Sequence, residues 1–251
     1  MVRRIHHVGI VVKRLADAYP FYRNILGLPV IREAEIADQG VRAALLAAGE
    51  SEIELLEATD PNSGVGRFLA KRGEGLHHVC FDVPDVGASL RDLAERQVAL
   101  LDTAPRRGLA GQIAFLHPKS CAGVLVELAT PDTPHGGSTG APLRLKRLVI
   151  GGREPNDTAV TFQSLFGLSE IVMNGGPRTM LAVGRGALLL VPADEVGGTE
   201  GMVALSLVAH DFAGLTAAFD RNKVRFIRGT GEVTVEPISS HGVHLHISRY
   251  E

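Results

Sequence analysis

Two histidines and two glutamates of this 251-residue chain have the types and the spacing to hold a metal ion. His7 lies in the apolar run IHHVGIVV (residues 5–12) and His78 in LHHVCFDV (residues 76–83), so the same His-His-Val entry is written twice. Glu54, in SEIELLEA, follows His7 by 47 residues, and Glu127, in GVLVELAT, follows His78 by 49. Both acids stand among apolar residues, where an unpartnered carboxylate is costly. Two neutral imidazoles and two carboxylates form a hard-to-borderline donor set, suited to one divalent ion of Co, Zn, Mn, Ni or Mg. Because a strand alternates its faces, one ring of each His pair is expected in a shared cavity. His6 and His77 are then expected behind the ligands or facing outward.

Such convergence needs a repeated scaffold. After IHHVGIVV comes LADAYPFYRNILG, with apolar residues at helical spacing and a stop at Gly27. Three strand-like runs follow: PVIREAEI, RAALLAAG and SEIELLEA. The second copy keeps this order, with the helix VGASLRDLAERQ and the runs VALLDTAP, QIAFLHP and GVLVELAT. Each unit reads βαβββ, and two units packed about a pseudo-twofold axis would bring His7, Glu54, His78 and Glu127 together. Residues 131–142, PDTPHGGSTGAP, read as a linker by composition. Beyond it the pattern returns more faintly in LKRLVIGG, TFQSLFGLSEI and MVALSLVAHDFAGLTAAFDRNKVRF. The expected architecture is α+β, with four paired βαβββ modules in two domains, residues 1–130 and 143–251.

The second domain reads as a degenerate copy without a metal. Laying the repeats over one another puts Arg147 at the place of His7, Leu189 at Glu54, Ala204 at His78 and His246 at Glu127. His244 and His246 share a strand face, but no acid joins them at the repeat positions, so an edge or interface role is expected.

Composition narrows the partners. With 26 basic and 28 acidic residues, nothing marks a nucleic-acid or membrane-surface binder. The N-terminal segment lacks a sustained apolar run with a small-residue cleavage site, and no run elsewhere is long enough to span a bilayer. The two cysteines, Cys80 and Cys121, make no disulfide framework and read as buried small hydrophobes in a reducing compartment. A cytoplasmic location is the expectation.

The paired βαβββ pattern resembles the vicinal oxygen chelate superfamily, which includes glyoxalase I, extradiol dioxygenases and antibiotic-resistance proteins. Residues 1–130 are similar more specifically to methylmalonyl-CoA epimerases. The shared stretches are HHVGIVV, FYRNILGL, EIELLEATDPNSGVGRFLAKRGEGLHHVCFDV and FLHPKSCAGVLVELAT. The first two are superfamily-wide; the GEGLHH entry and the HPKSCAGVLVEL ending are the specific ones. The resemblance implies the same four ligands, an acyl-CoA substrate and epimerisation at the carbon α to the thioester. A proton would be removed there through a metal-stabilised enolate and returned on the other face. It points to Glu127 and Glu54 as acid and base, and to Lys119, Arg106 and Arg107 as possible contacts for a carboxylate or CoA phosphates.

Two departures stand out. Some family members carry an extra glutamate on the strand after a QGV turn, where this chain has Ala43 or its neighbours. The family's chain also usually ends where the linker begins here, so the second half would serve as a built-in partner, giving a pseudo-dimeric monomer or a homodimer. The competing readings are a glyoxalase-like lyase, an extradiol dioxygenase, or a non-enzymatic small-molecule binder. The fourth ligand position filled by Glu54 disfavours oxygen chemistry, and the complete ligand set disfavours the binder.

Overall fold

The two His-His-Val runs become neighbouring central strands of one mixed sheet. The computed structural model describes residues 2–132, 140–173 and 176–250. The first eight strands are β1 (Arg4–Val12), β2 (Val30–Ile36), β3 (Val41–Ala48), β4 (Ser51–Ala58), β5 (Gly75–Asp82), β6 (Arg106–Gly108), β7 (Gly111–Leu116) and β8 (Val126–Thr130). Their spatial order is β2-β3-β4-β1-β5-β8-β7-β6. The strands that open the two repeats therefore lie side by side, flanked by β4 and β8, which close them. This is the α+β arrangement of paired βαβββ modules.

A second sheet repeats the order strand for strand. It contains β9 (Leu143–Gly152), β10 (Ser169–Ile171), β11 (Thr179–Val183), β12 (Gly186–Pro192), β13 (Gly201–Ala209), β14 (Phe226–Arg228), β15 (Glu232–Val235) and β16 (His244–Ser248). Its order is β10-β11-β12-β9-β13-β16-β15-β14. The repetition gives four modules. Of the expected linker, residues 133–139 lie outside the described residues.

The helices depart from the sequence pattern in two places. The first is α1 (Leu15–Tyr19), which runs into a π-helical turn at Pro20–Ile25. Pro20 has no N–H for the carbonyl four residues back, and its ring crowds that carbonyl, so the helix widens there. The wider turn closes with the Leu26 N–H donating to the Phe21 carbonyl at 2.9 Å. The second departure is α2 (Gly64–Arg72), which interrupts the βαβββ order. Ser63 caps it by accepting from the Gly66 N–H at 2.9 Å, and Gly73 ends it. The other helices are α3 (Val86–Glu95), α4 (Pro155–Phe166) and α5 (Phe212–Arg221).

One expected strand is displaced. VALLDTAP makes a single bridge, Leu100 to Leu116, and the pairing strand is β6, just beyond Pro105. The Asp102 carboxylate explains the shift: it accepts from the Phe115 N–H at 2.8 Å and from Arg106 Nε at 3.1 Å. The side chain thereby satisfies a donor that a regular ladder would otherwise take up.

By contacts the chain forms two compact units, and each draws on both halves of the sequence. One comprises Met1–His7, His78–His135 and Arg147–Val203; the other comprises Val8–His77, Gly136–Lys146 and Ala204–Glu251. Within the first unit, Phe81 of β5 meets Phe166 of α4 edge-on, with ring centroids 5.0 Å apart. Arg96 also donates to the Ser164 carbonyl at 2.7 Å. Within the second unit, Phe21 stacks on Phe219 of α5 at 6.4 Å, and the buried Tyr22 hydroxyl donates to the Ser240 carbonyl at 2.8 Å. Glu74 pairs with His241 at 3.0 Å. Beside that pair Gly242 has a φ of +80°, and a Cβ there would stand 2.0 Å from the Glu74 carbonyl oxygen. Only glycine fits. Among the described residues no helix is long and apolar enough to cross a membrane.

The Phe21–Phe219 contact makes a stability prediction. Phe219 is fully buried, so Phe219→Ala should cost about 3–5 kcal/mol in urea unfolding. Val160→Ala on the exposed side of α4 should stay within about 0.5 kcal/mol. Equal midpoints for the two variants would show that the second unit does not depend on this seam.

Candidate metal centre

His7, Glu54, His78 and Glu127 form one group, all four buried, whose ligand atoms lie within 4.8 Å of one another. Each is placed by a different strand: His7 by β1, Glu54 by β4, His78 by β5 and Glu127 by β8. Register does part of the positioning. Glu127 sits opposite Cys80 in the parallel β5–β8 pair, and Glu54 sits opposite Leu45 in the antiparallel β3–β4 hairpin.

The distances define the chemistry. His7 Nε2 is 2.9 Å from His78 Nε2, His78 Nε2 is 2.9 Å from Glu127 Oε2, and His7 Nε2 is 3.4 Å from the same oxygen. These three contacts cannot all be full hydrogen bonds, because a neutral Nε2 carries at most one hydrogen and a carboxylate carries none. Lone pairs converging this closely are what a cation satisfies. Two ligands at about 2.1 Å from one ion and at right angles stand about 3 Å apart, which matches this spacing. The residues present therefore fit a divalent ion, with two carboxylates to balance its charge.

Burial alone would push the Glu127 carboxyl up. The charge of His7, together with hydrogen bonds from His7 and His78, outweighs burial and holds Glu127 well below the usual carboxylate range. Cys121, by contrast, is pushed up to about 12 by burial, which leaves it an inert thiol.

The structure sorts the remaining candidates by strand face. Across β6, β7 and β8, Arg106 is opposite Ile113, Phe115 is opposite Glu127 and Ile113 is opposite Ala129. Arg106 and Phe115 thus share the face of Glu127. The Phe115 ring meets the His78 ring edge-on at 5.3 Å, and the Arg106 guanidinium lies 5.4 Å over Phe115. Arg107 takes the other face and forms a two-pronged pair with Asp132 at 2.7 and 2.5 Å. Lys119 is exposed in a single 3-10 turn, where its N–H donates to His117 Nδ1 at 3.1 Å.

Two groups escaped the repeat argument. Phe115 is one; it follows from alternation along β7 once Glu127 is placed opposite. The other is Glu52, buried on β4 two residues before Glu54 and on the same face. Ala43, Leu45 and Ala47 line that face from β3 and offer no titratable group. The doubled histidines separate as well. His6 is fully buried, with its Nδ1 3.0 Å from His7 Nδ1, so it does not face outward. His77 is half-buried and meets Phe68 edge-on at 4.9 Å.

In the second half the register agrees with the repeat alignment. Counting from the hairpins, Leu189 occupies the place of Glu54, and Ser206 opposite His246 repeats Cys80 opposite Glu127. Leu189 and Ala204 thus stand at the positions matching Glu54 and His78, and His246 bonds to Thr234 at 2.9 Å. His244 is exposed.

Known proteins resemble this chain over its first half and, in fold, over nearly its whole length. The family model described as Glyoxalase/Bleomycin resistance protein/Dioxygenase superfamily matches residues 6–116. The mitochondrial methylmalonyl-CoA epimerase of Homo sapiens is 37% identical over 127 residues, covering 50% of this chain and 72% of that protein. A variant methylmalonyl-CoA epimerase from Streptomyces coelicolor, solved with 2-nitronate-propionyl-CoA, aligns at a TM-score of 0.52 and 41% identity. That alignment covers 53% of this chain and 100% of the other. A variant 4-hydroxymandelate synthase from Streptomyces coelicolor aligns over 98% of this chain and 92% of its own at a TM-score of 0.72. At 16% identity it shares the four-module fold alone.

The depressed Glu127 carboxyl predicts an acid response. Its folded value lies below its unfolded one, so its stabilisation is present above the usual carboxylate range and is lost as pH falls toward the folded value. With chelator present, the urea midpoint of the wild type should therefore fall steeply below about pH 5, and that of Glu127→Gln less steeply. Parallel pH profiles would count against an ionised, partnered Glu127.

Proposed function

Since the chain belongs to the glyoxalase/bleomycin resistance protein/dioxygenase superfamily, we propose that it is a metal-dependent epimerase of methylmalonyl-CoA or a related branched malonyl-CoA thioester. One observation carries the reading. The half that is similar to methylmalonyl-CoA epimerases is the half that buries two imidazoles and two carboxylates within 4.8 Å. His7, Glu54, His78 and Glu127 hold the ion in this reading. A bound divalent ion supplies a fixed positive charge beside the oxygen that becomes negative when a thioester loses its α-proton.

The chain's own residues do the rest. An ionised carboxylate accepts a proton, and Glu127 is kept ionised by its two histidines. Glu54, from the other module, is the matching group for returning a proton on the opposite face. Ala43 leaves β3 without an acid of its own, and in this reading the exchange is assigned to the two glutamates of the His-Glu group. Phe115 keeps water from the His78 side, and Arg106 on the same face is suited to an anionic group of the substrate. Both arginines are paired, Arg106 with Asp102 and Arg107 with Asp132, and Arg107 is the weaker choice because it lies on the opposite face.

Residues 1–130 form the active domain in this proposal, and residues 143–251 are its built-in partner. Replacement of three ligand positions costs the second domain nothing if its task is packing. Its aromatic contacts to the first domain, Phe166 with Phe81 and Phe219 with Phe21, support that role.

Two measurements test the reading. Elemental analysis of metal-loaded wild type should give one divalent ion per chain, and His78→Ala should lose most of it. Incubating the loaded protein with a single epimer of methylmalonyl-CoA in deuterated water should put deuterium at the α-carbon. Glu127→Gln should reduce that exchange by at least about 100-fold. Loaded protein that exchanges no proton with any branched malonyl-CoA would sink the epimerase reading.

A further inference from the structure

His7 presents both ring nitrogens to named partners, and they impose different demands. Its Nε2 belongs to the ligand group, 2.9 Å from His78 Nε2. Its Nδ1 is 3.0 Å from Nδ1 of His6. Both rings are buried, at 0% and 1% exposure for His7 and His6, and they meet edge-on with centroids 5.1 Å apart. A histidine that gives the Nε2 lone pair to a metal must carry its hydrogen on Nδ1. That hydrogen needs an acceptor in a site that excludes water, and His6 Nδ1 is placed to be it. His6 must then carry its own hydrogen on Nε2. The two tautomers are linked, because a hydrogen on His6 Nδ1 would turn His7 into an acceptor and move its hydrogen onto the ligand nitrogen.

We propose that His6 is a positioning residue that fixes the tautomer and ring orientation of His7 for metal binding through Nε2. The proposal rests on the metal reading above and adds a residue to it. An imidazole in this place, rather than a carboxylate, has a charge rationale. Glu54 and Glu127 already balance a divalent ion, and a third buried anion beside His7 would be uncompensated. Cys80 lies close to the same two histidines and is buried, and its weak thiol donor is directed to the Phe81 carbonyl at 3.9 Å. His77, the matching residue of the second repeat, lies half-buried against Phe68.

The experiment uses the full chain and Co²⁺ or Zn²⁺ alone as the probe. Competition titration should show His6→Phe binding Co²⁺ about 10–100-fold more weakly than wild type, the usual loss on removing such a partner. His6→Asn keeps an acceptor where Nδ1 stood and should recover most of that loss, with matched urea midpoints confirming that both variants fold. Equal Co²⁺ affinity in wild type and folded His6→Phe would overturn the proposal, as would an equal loss in His6→Phe and His6→Asn. A second readout needs no variant. Long-range ¹H–¹⁵N spectra of the Zn²⁺-loaded wild type should place the His7 hydrogen on Nδ1 and the His6 hydrogen on Nε2. A hydrogen on His6 Nδ1, or ligation through His7 Nδ1, would overturn the proposal even if His6→Phe failed to fold. Wild type that binds neither ion would remove the metal reading itself, an outcome distinct from tight binding that is indifferent to His6.

Discussion

Burying carboxylates among apolar strands is the constraint on which the first half of this molecule depends. An isolated ionised carboxylate in such surroundings is prohibitive, and the ordinary escape is to take up a proton. Glu127 does not take that route, because two imidazoles converge on one of its oxygens at 2.9 and 3.4 Å. Those imidazoles are themselves buried and need acceptors. Each group is tolerable only while the others hold position, so the strands that carry them must keep their register. A slip of one residue in β8 would turn Glu127 to the opposite face and bring a neighbouring apolar side chain into its place.

The paired-module fold meets this demand through symmetry. Two copies of a βαβββ unit place equivalent strands side by side, so a residue useful in one copy gains a counterpart from the other. A His on the opening strand and a Glu on the closing strand, written twice, bring four buried polar residues together from two sequence decisions. The second half repeats the same strand order with apolar residues at two of the matching positions. Leu189 and Ala204 occupy ligand places, and apolar pairing needs no charge to be matched. What that half retains is aromatic packing, with Phe166 and Phe219 against Phe81 and Phe21 of the first half. Selection for packing preserves a hydrophobic pattern and leaves the polar positions free to drift.

The immediate surroundings of the four converging residues differ from side to side. Phe115 shields His78, Arg106 lies over Phe115 from a half-exposed strand, and Arg107 next to it is tied to Asp132 on the other face. Adjacent arginines thus end in different environments because a strand alternates its side chains. The doubled histidine divides in the same way between its two copies. His6 is enclosed beside a ligand, and His77 rests at a half-exposed edge.

The sequence by itself determined the module count, the strands that open and close each module, and the four converging residues, because period-2 patterning and matched spacing are local properties repeated along the chain. The hairpin registers of the second half put Leu189 and Ala204 at the positions that the repeat alignment gave them. Other features were decided by tertiary structure. The π-helical turn at Pro20 and the displacement of a strand to Arg106–Gly108 arise from a missing N–H and from a side chain, Asp102, that reaches thirteen residues ahead to the Phe115 N–H. Strict alternation had set His6 apart from His7, yet the folded strand brings their Nδ1 atoms to 3.0 Å. Which arginine faces the site, and which helix packs against which, depended on strand pairing and on contacts between residues as far apart as Tyr22 and Ser240. Spacing along a chain specifies which residues can share a face, but only the closed fold specifies what stands opposite that face.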